Sequence, residues 1–242
     1  MQRFYIPYFE KKDKFLLNDK DVFHQLVKVL RVREWEKIIF FDWVQNLDFI
    51  YEIVEINKKE IELKFLEEIK KDTELNFELN LFQAMPNKLE KIEYILQKWV
   101  EIWMKKFIFY RSERSQKLVI SDKKEERLKK IITEAVEQSW RSFVPEFEIL
   151  SSAPFIEKSW KSENIFLHTK NNNSQNLQDF IKIQNNKKTE KLNIYIWPEW
   201  WFWEDEIDKF EINKFIRIHL WNRILRTETA WVVVGFTLWQ ML

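Results

Sequence analysis

The sequence predicts an α/β protein: a β-rich N-terminal part, then a larger part built on a parallel sheet. Three observations lead there. Residues 1–70 carry runs of β-branched and aromatic residues broken by short turn-forming stretches. From residue 77 onward the rhythm changes to strands alternating with helical patterns, the signature of a parallel sheet with helical crossovers. Between them lies "KKDTEL" (70–75), a polar linker. The predicted division is therefore 1–72 and 73–242.

Taken in order, "KIIFFD" (37–42), "DFIYEIVEI" (48–56) and "KEIELKFLEE" (59–68) are strand runs. "FELNLFQAM" (77–85) opens the second part as a strand. "KLEKIEYILQKWVEIW" (88–103) has apolar residues at 89, 92, 95, 96 and 100, a helical stripe. "KKFIFYRSERS" (105–115) begins as a strand, and "DKKEERLKKIITEAVEQS" (122–139) is a second helix. "NIFLHT", "LNIYI" and "KFIRIHL" are short buried strands. "EDEIDKF" opens a helix, its first-turn acids favoured by the helix dipole. "TETAWVVVGFTLWQML" closes the chain as an apolar helix.

Composition narrows the function classes. No apolar run reaches the roughly 20 residues that span a bilayer, and the N-terminus "MQRFYIPYFEKKDKF" lacks a signal-peptide core. There is no cysteine, which excludes disulfides and thiolate metal sites and fits the reducing cytoplasm. The three histidines (His24, His168, His219) lie far apart, so no metal site is expected. Net charge is +1, so nucleic-acid binding would rest on local basic clusters.

One feature of the composition is abnormal. The chain has 13 Trp and a single Gly, where average glycine usage is about 7%. Trp35, Trp43, Trp103, Trp140, Trp197, Trp200, Trp201 and Trp221 fall at predicted turns or helix ends. Those are glycine positions, because glycine reaches backbone conformations other residues avoid. The rest of the chain is rich in Lys, Ile, Asn and Phe, as expected of an A/T-rich gene. The expectation is that most of these tryptophans are UGA codons read as glycine. Trp99, Trp160, Trp231 and Trp239 lie in or near helices and are less diagnostic. The alternative is a Trp-rich stacking or ligand-binding surface.

Two stretches carry the chemistry. With glycine restored, "IYIWPEWWFWEDEI" (194–207) reads IYIGPEGGFGEDEI, and "HLWNRILRTETA" (219–230) reads HLGNRILRTETA. Each follows a predicted parallel strand. Each would therefore present backbone groups at the carboxyl edge of the sheet, where α/β proteins bind ligands. These segments resemble the two C-terminal cofactor loops of the RsmE family, the 16S ribosomal RNA uridine-N3 methyltransferases of the knotted SPOUT superfamily. "HQLVKVLRVR" (24–33), "FDW" (41–43), "LQKWVEIW" (96–103), "SERS" (112–115) and "EAVEQSWR" (134–141) match in the same order. Read literally, Trp at 197, 200, 201 and 221 departs from the pattern.

The resemblance implies an N-terminal PUA-like β-barrel, a C-terminal SPOUT α/β domain with a trefoil knot, and a homodimer. It implies S-adenosyl-L-methionine as cofactor, held by Leu167, His168, Ile196, Trp197, Pro198, Glu199, Trp200, Trp201, Leu220, Trp221, Ile224, Leu225 and Arg226. The implied partner is 16S rRNA in the small ribosomal subunit, with Arg3, His24, Arg31, Arg33, Arg111 and Lys117 as RNA contacts. Arg114, Arg141 and Arg226 are the catalytic candidates, since a guanidinium suits bidentate contact with phosphate and carbonyl groups. For the basic residues, a solvated face is the competing reading. For His24 it is local packing or capping. Glu199 and Glu228 are candidates only for capping the next helix and fixing a loop backbone. A rival from another class is a non-catalytic RNA-binding protein that kept the fold and lost the cofactor.

Overall fold

The computed structural model describes all residues except 1, 43–45, 72–73, 76, 113–114, 116–117, 158, 169–173, 188, 197–201, 221–224, 226 and 240–242, and the side chains of 227, 228, 231 and 239. The chain forms two compact units. One is Met1–Glu74 with Val136–Val144; the other is Leu75–Ala135 with Pro145–Leu242.

The first unit holds β1 (Gln2–Tyr5), β2 (Lys14–Leu17), α1 (Lys20–His24), a π-helical turn (Gln25–Leu30), β3 (Lys37–Asp42), β4 (Leu47–Ile56) and β5 (Ile61–Lys70). Its sheet runs β1-β3-β4-β5-β2, with β1 parallel to β3 and the other pairs antiparallel. Aromatic residues fill the core. The Phe9 ring lies 5.2–5.9 Å from those of Phe15, Phe40, Phe49 and Tyr51. Helix α1 starts where the Asp19 carboxylate accepts from the N–H groups of Asp21 and Val22, both at 3.0 Å, an N-cap of the expected kind.

Val136–Val144 joins this unit through buried charge. The Arg3 guanidinium donates to Asp48 Oδ1 through Nε (3.0 Å) and Nη2 (2.8 Å), donates through Nη1 to the Arg141 carbonyl (2.6 Å) and lies 3.4 Å from the Phe41 ring centre. Arg141 in turn grips Glu74 at 3.2 and 2.5 Å, and the Tyr5 N–H donates to Glu137 at 2.8 Å. No linker-like composition marks this return.

The second unit holds β6 (Glu78–Ala84), α2 (Leu89–Glu101), β7 (Lys106–Tyr110), α3 (Asp122–Ser139), β8 (Glu146–Leu150), β9 (Ser162–Leu167) and β10 (Gln175–Asn176). It continues with α4 (Leu177–Lys187), β11 (Lys191–Ile196), α5 (Glu204–Ile212), β12 (Ile216–His219) and α6 (Thr227–Trp239). The sheet order is β10-β12-β9-β11-β6-β7-β8, and every neighbouring pair is parallel. The α/β expectation therefore holds. Helix α4 and strand β8 carry weak sequence signals, because a polar "QNNK" ending and an acidic "EFEIL" blur both periods.

Helix α2 buries Ile92, Ile95, Leu96, Trp99 and Val100, the stripe that the 3.6-residue period requires. Gly235, the chain's one glycine, lets α6 come close to it. A Cβ at 235 would meet Ile102 Cγ2 at 3.0 Å.

Three asparagines fix the sheet's register. Asn80 Nδ2 donates to Asn193 Oδ1 (3.0 Å), Asn193 Nδ2 to Asn164 Oδ1 (2.7 Å), and Asn164 Nδ2 to the Ile156 carbonyl (2.7 Å). All three are buried, so a slipped strand would leave amides unpaired in a dry interior. Asn193→Leu strands a partner on each side, and we expect it to cost about 2 kcal/mol. Urea unfolding should show this as a lower midpoint with an unchanged slope.

Candidate functional site

The order of strand placement makes an edge suited to a ligand. The chain lays β6, β7 and β8 outward, then returns to place β9, β11 and β12 on the other side of β6. Strand order thus reverses around β11, and in parallel α/β sheets such switch points bind ligands beyond the strands' carboxyl ends.

The structure brings together there several residues expected at the cofactor site. Ile218 pairs with Leu167, and Tyr195 with Phe166, so Leu167, Ile196 and His219 end three neighbouring strands at one level. Leu167 and Ile196 are buried; His168 and Leu220 are half-buried. The His168 N–H donates to the Ile218 carbonyl at 2.8 Å, which holds the turn after β9 against β12. Leu225 is described and half-buried. Trp197, Pro198, Glu199, Trp200, Trp201, Trp221, Ile224 and Arg226 lie outside the described residues, as do Arg114 and Lys117.

Below the first loop, α5 begins with the Glu206 carboxylate accepting from the Trp203 N–H at 3.0 Å, which satisfies one otherwise unpaired helix-start donor. Under α5 the aromatic rings of Phe166, Tyr195, Phe202, Phe210 and Phe215 pack at 4.9–6.4 Å. That rigid floor carries the strand ends. Tyr195 donates to the Pro154 carbonyl at 2.6 Å, and burial pushes its phenol well above the ordinary range.

Sequence reasoning did not single out Tyr110, at the carboxyl end of β7. Its hydroxyl is buried with no hydrogen-bond partner among the described residues. Burial, and then the neighbouring Glu206 and Tyr195, hold it protonated. After β7, Ser112 and Ser115 are hydrogen-bonded to each other. Ser112 N–H donates to Ser115 Oγ (3.1 Å), the two hydroxyls are 3.0 Å apart, and Ser115 N–H returns to the Ser112 carbonyl (3.1 Å).

The basic candidates separate into two kinds. Arg111 in the second unit is exposed, and so are His24, Arg31 and Arg33 in the first. Arg3 is a correction: it was expected on an RNA-facing surface. Its side chain is 1% exposed, packed between Asp48, the Arg141 carbonyl and the Phe41 face, so it presents no surface to a phosphate. Arg141 is 2% exposed and engaged with Glu74. Among the described residues no group of three or more His, Cys, Asp or Glu is placed to hold a metal, and no helix is long and apolar enough to cross a membrane.

The parallel sheet and its switch point define a ligand-binding α/β class. The model for the RNA methyltransferase domain family matches residues 73–239. Over 99% of its length the chain is 30% identical to the ribosomal RNA small subunit methyltransferase E of Buchnera aphidicola from Schizaphis graminum, covering 95% of that protein. It is 27% identical to the protein of that name from Bacillus subtilis, over 95% of this chain and 93% of that one. The fold superposes on a ribosomal RNA small subunit methyltransferase E from Neisseria gonorrhoeae, solved with S-adenosyl methionine bound. The TM-score is 0.83 at 24% identity, covering 100% of this chain and 98% of that one. The chain belongs to the RsmE family of ribosomal RNA small subunit methyltransferases.

Proposed function

We propose that this protein transfers a methyl group from S-adenosyl-L-methionine to N3 of one uridine in 16S rRNA of the small ribosomal subunit. The observation that carries the reading is the relationship along 99% of the chain to a small-subunit rRNA methyltransferase. The edge formed by Leu167, Ile196 and His219 fits the cofactor. Leu167 and Ile196 supply an apolar floor for a purine at the carboxyl ends of the strands, where parallel α/β sheets bind ligands.

The bound cofactor supplies an electrophilic methyl on a sulfonium. The chain's residues do the rest. Uridine N3 must lose its proton before its lone pair can attack in line, so the site's task is positioning and stabilisation of the uracil anion. Arg114 and Arg226 are assigned to that anion. Arg141, gripping Glu74, is assigned to holding its own segment in place. N3 lies on the Watson–Crick edge, so the target base is unpaired when it enters. The first unit is read as the PUA-like RNA-docking barrel, with His24, Arg31 and Arg33 on its exposed face. The second is read as the trefoil-knotted domain of a cytoplasmic homodimer.

Deletion of the gene should abolish one N3-methyluridine in 16S rRNA, seen as loss of a primer-extension stop that complementation restores. An unchanged modification profile would sink the assignment.

A further inference from the structure

Three described tryptophans sit on backbone that L side chains adopt only with strain. φ is +72° at Trp35, +58° at Trp103 and +61° at Trp140. Tryptophan is 13 of the chain's 242 residues, yet among the described residues it accounts for 3 of the 7 non-glycine positions with positive φ.

Local hydrogen bonds define each setting. Glu36 N–H donates to the Arg33 carbonyl at 3.3 Å, making Trp35 the third residue of a four-residue turn. Positive φ at that place is the type II geometry, which calls for glycine. After α2, Met104 N–H donates to the Trp99 carbonyl (3.1 Å) and Trp103 N–H to the Val100 carbonyl (3.2 Å). This bond pair is the Schellman motif, and Trp103 holds its left-handed position. After α3, Arg141 N–H donates to the Val136 carbonyl (3.2 Å), and Trp140 holds the same position.

Of the three side chains, that of Trp140 has Lys71 Nζ 5.3 Å from its ring centre. Trp35 is 72% exposed and Trp140 38% exposed, whereas Trp99 is fully buried beside Gly235. Lys214 is an internal control. It occupies the same position after α5 with φ +60°, the bonds running from Phe215 to Phe210 (3.0 Å) and from Lys214 to Glu211 (2.9 Å). A flexible, solvated lysine is thus accommodated there. What sets the tryptophans apart is that the bulkiest apolar side chain recurs at glycine positions in a chain with one glycine.

We infer that positions 35, 103 and 140 are glycine in the protein its own cells make, the gene carrying UGA there and the cell reading UGA as glycine. The inference stands on backbone geometry and composition, and its test reads no methyl transfer, so it fails or survives apart from the functional reading.

Protein purified from the source cells is digested, and the peptides containing residues 35, 103 and 140 are sequenced by tandem mass spectrometry. Glycine is expected at all three; tryptophan there overturns the inference. A second measurement uses recombinant protein. The triple variant Trp35→Gly, Trp103→Gly, Trp140→Gly should melt about 5–10 °C above the chain as written, because each left-handed site is relieved of strain. An unchanged or lower melting temperature contradicts it.

Discussion

Replacing Trp197, Trp200, Trp201 and Trp221 by glycine is expected to raise affinity for S-adenosylmethionine about 100-fold, equivalent to about 2.7 kcal/mol. The four positions lie in the segments that follow β11 and β12, directly beyond the buried strand end Ile196 and the half-buried Leu220. A ligand bound at the carboxyl edge of a parallel sheet is recognised largely by backbone N–H and C=O groups. Glycine lets those groups come within hydrogen-bonding distance, while an indole at the same place competes for the volume the adenosine needs. Calorimetric titration of both proteins, with circular dichroism to confirm that each is folded, measures the difference. Equal, tight binding by the chain as written would show that the indoles belong to the pocket, and the glycine reading of the loops would fall.

Much of the fold was legible because its signals are local. The run "KIIFFD" is β3, with five of its six residues buried, and the predicted helix at 122–139 is α3 over the same residues. The candidate strand ends Leu167 and Ile196 were legible as buried positions, since they close apolar runs of the kind a parallel sheet covers on both faces. What could not be read is what depends on distant partners. Arg3 read as a free basic residue because nothing within reach in the sequence neutralises it. Its carboxylate partner is 45 residues away, and the carbonyl it holds is 138 residues away. The return of Val136–Val144 to the first unit has no local signal for the same reason. The parallel pairing of β1 with β3 also has no local signature, because a strand's own pattern does not name its neighbour.

The same buried charge gives the largest stability effect. Asp48→Ala is expected to destabilise the first unit by about 3–5 kcal/mol, because it leaves a guanidinium uncompensated in the interior. The geometry leaves little room for relief. Arg3 is 5% exposed as a residue, its Nε and Nη2 both point at Asp48, and the Phe41 ring covers its plane at 3.4 Å. Water cannot replace the lost carboxylate without disturbing the packing over β1, β3 and β4. Arg3 Nη1 also holds the Arg141 carbonyl, so the damage should spread beyond β4. Hydrogen exchange at the amides of 137–142 should quicken along with those of β1. The double variant Arg3→Met, Asp48→Leu removes both charges and keeps apolar volume, and it should recover most of the loss. Chemical denaturation of the two variants beside the parent protein makes the comparison. If Asp48→Ala costs less than about 1 kcal/mol, the pair is solvated in solution and does not fasten the segment.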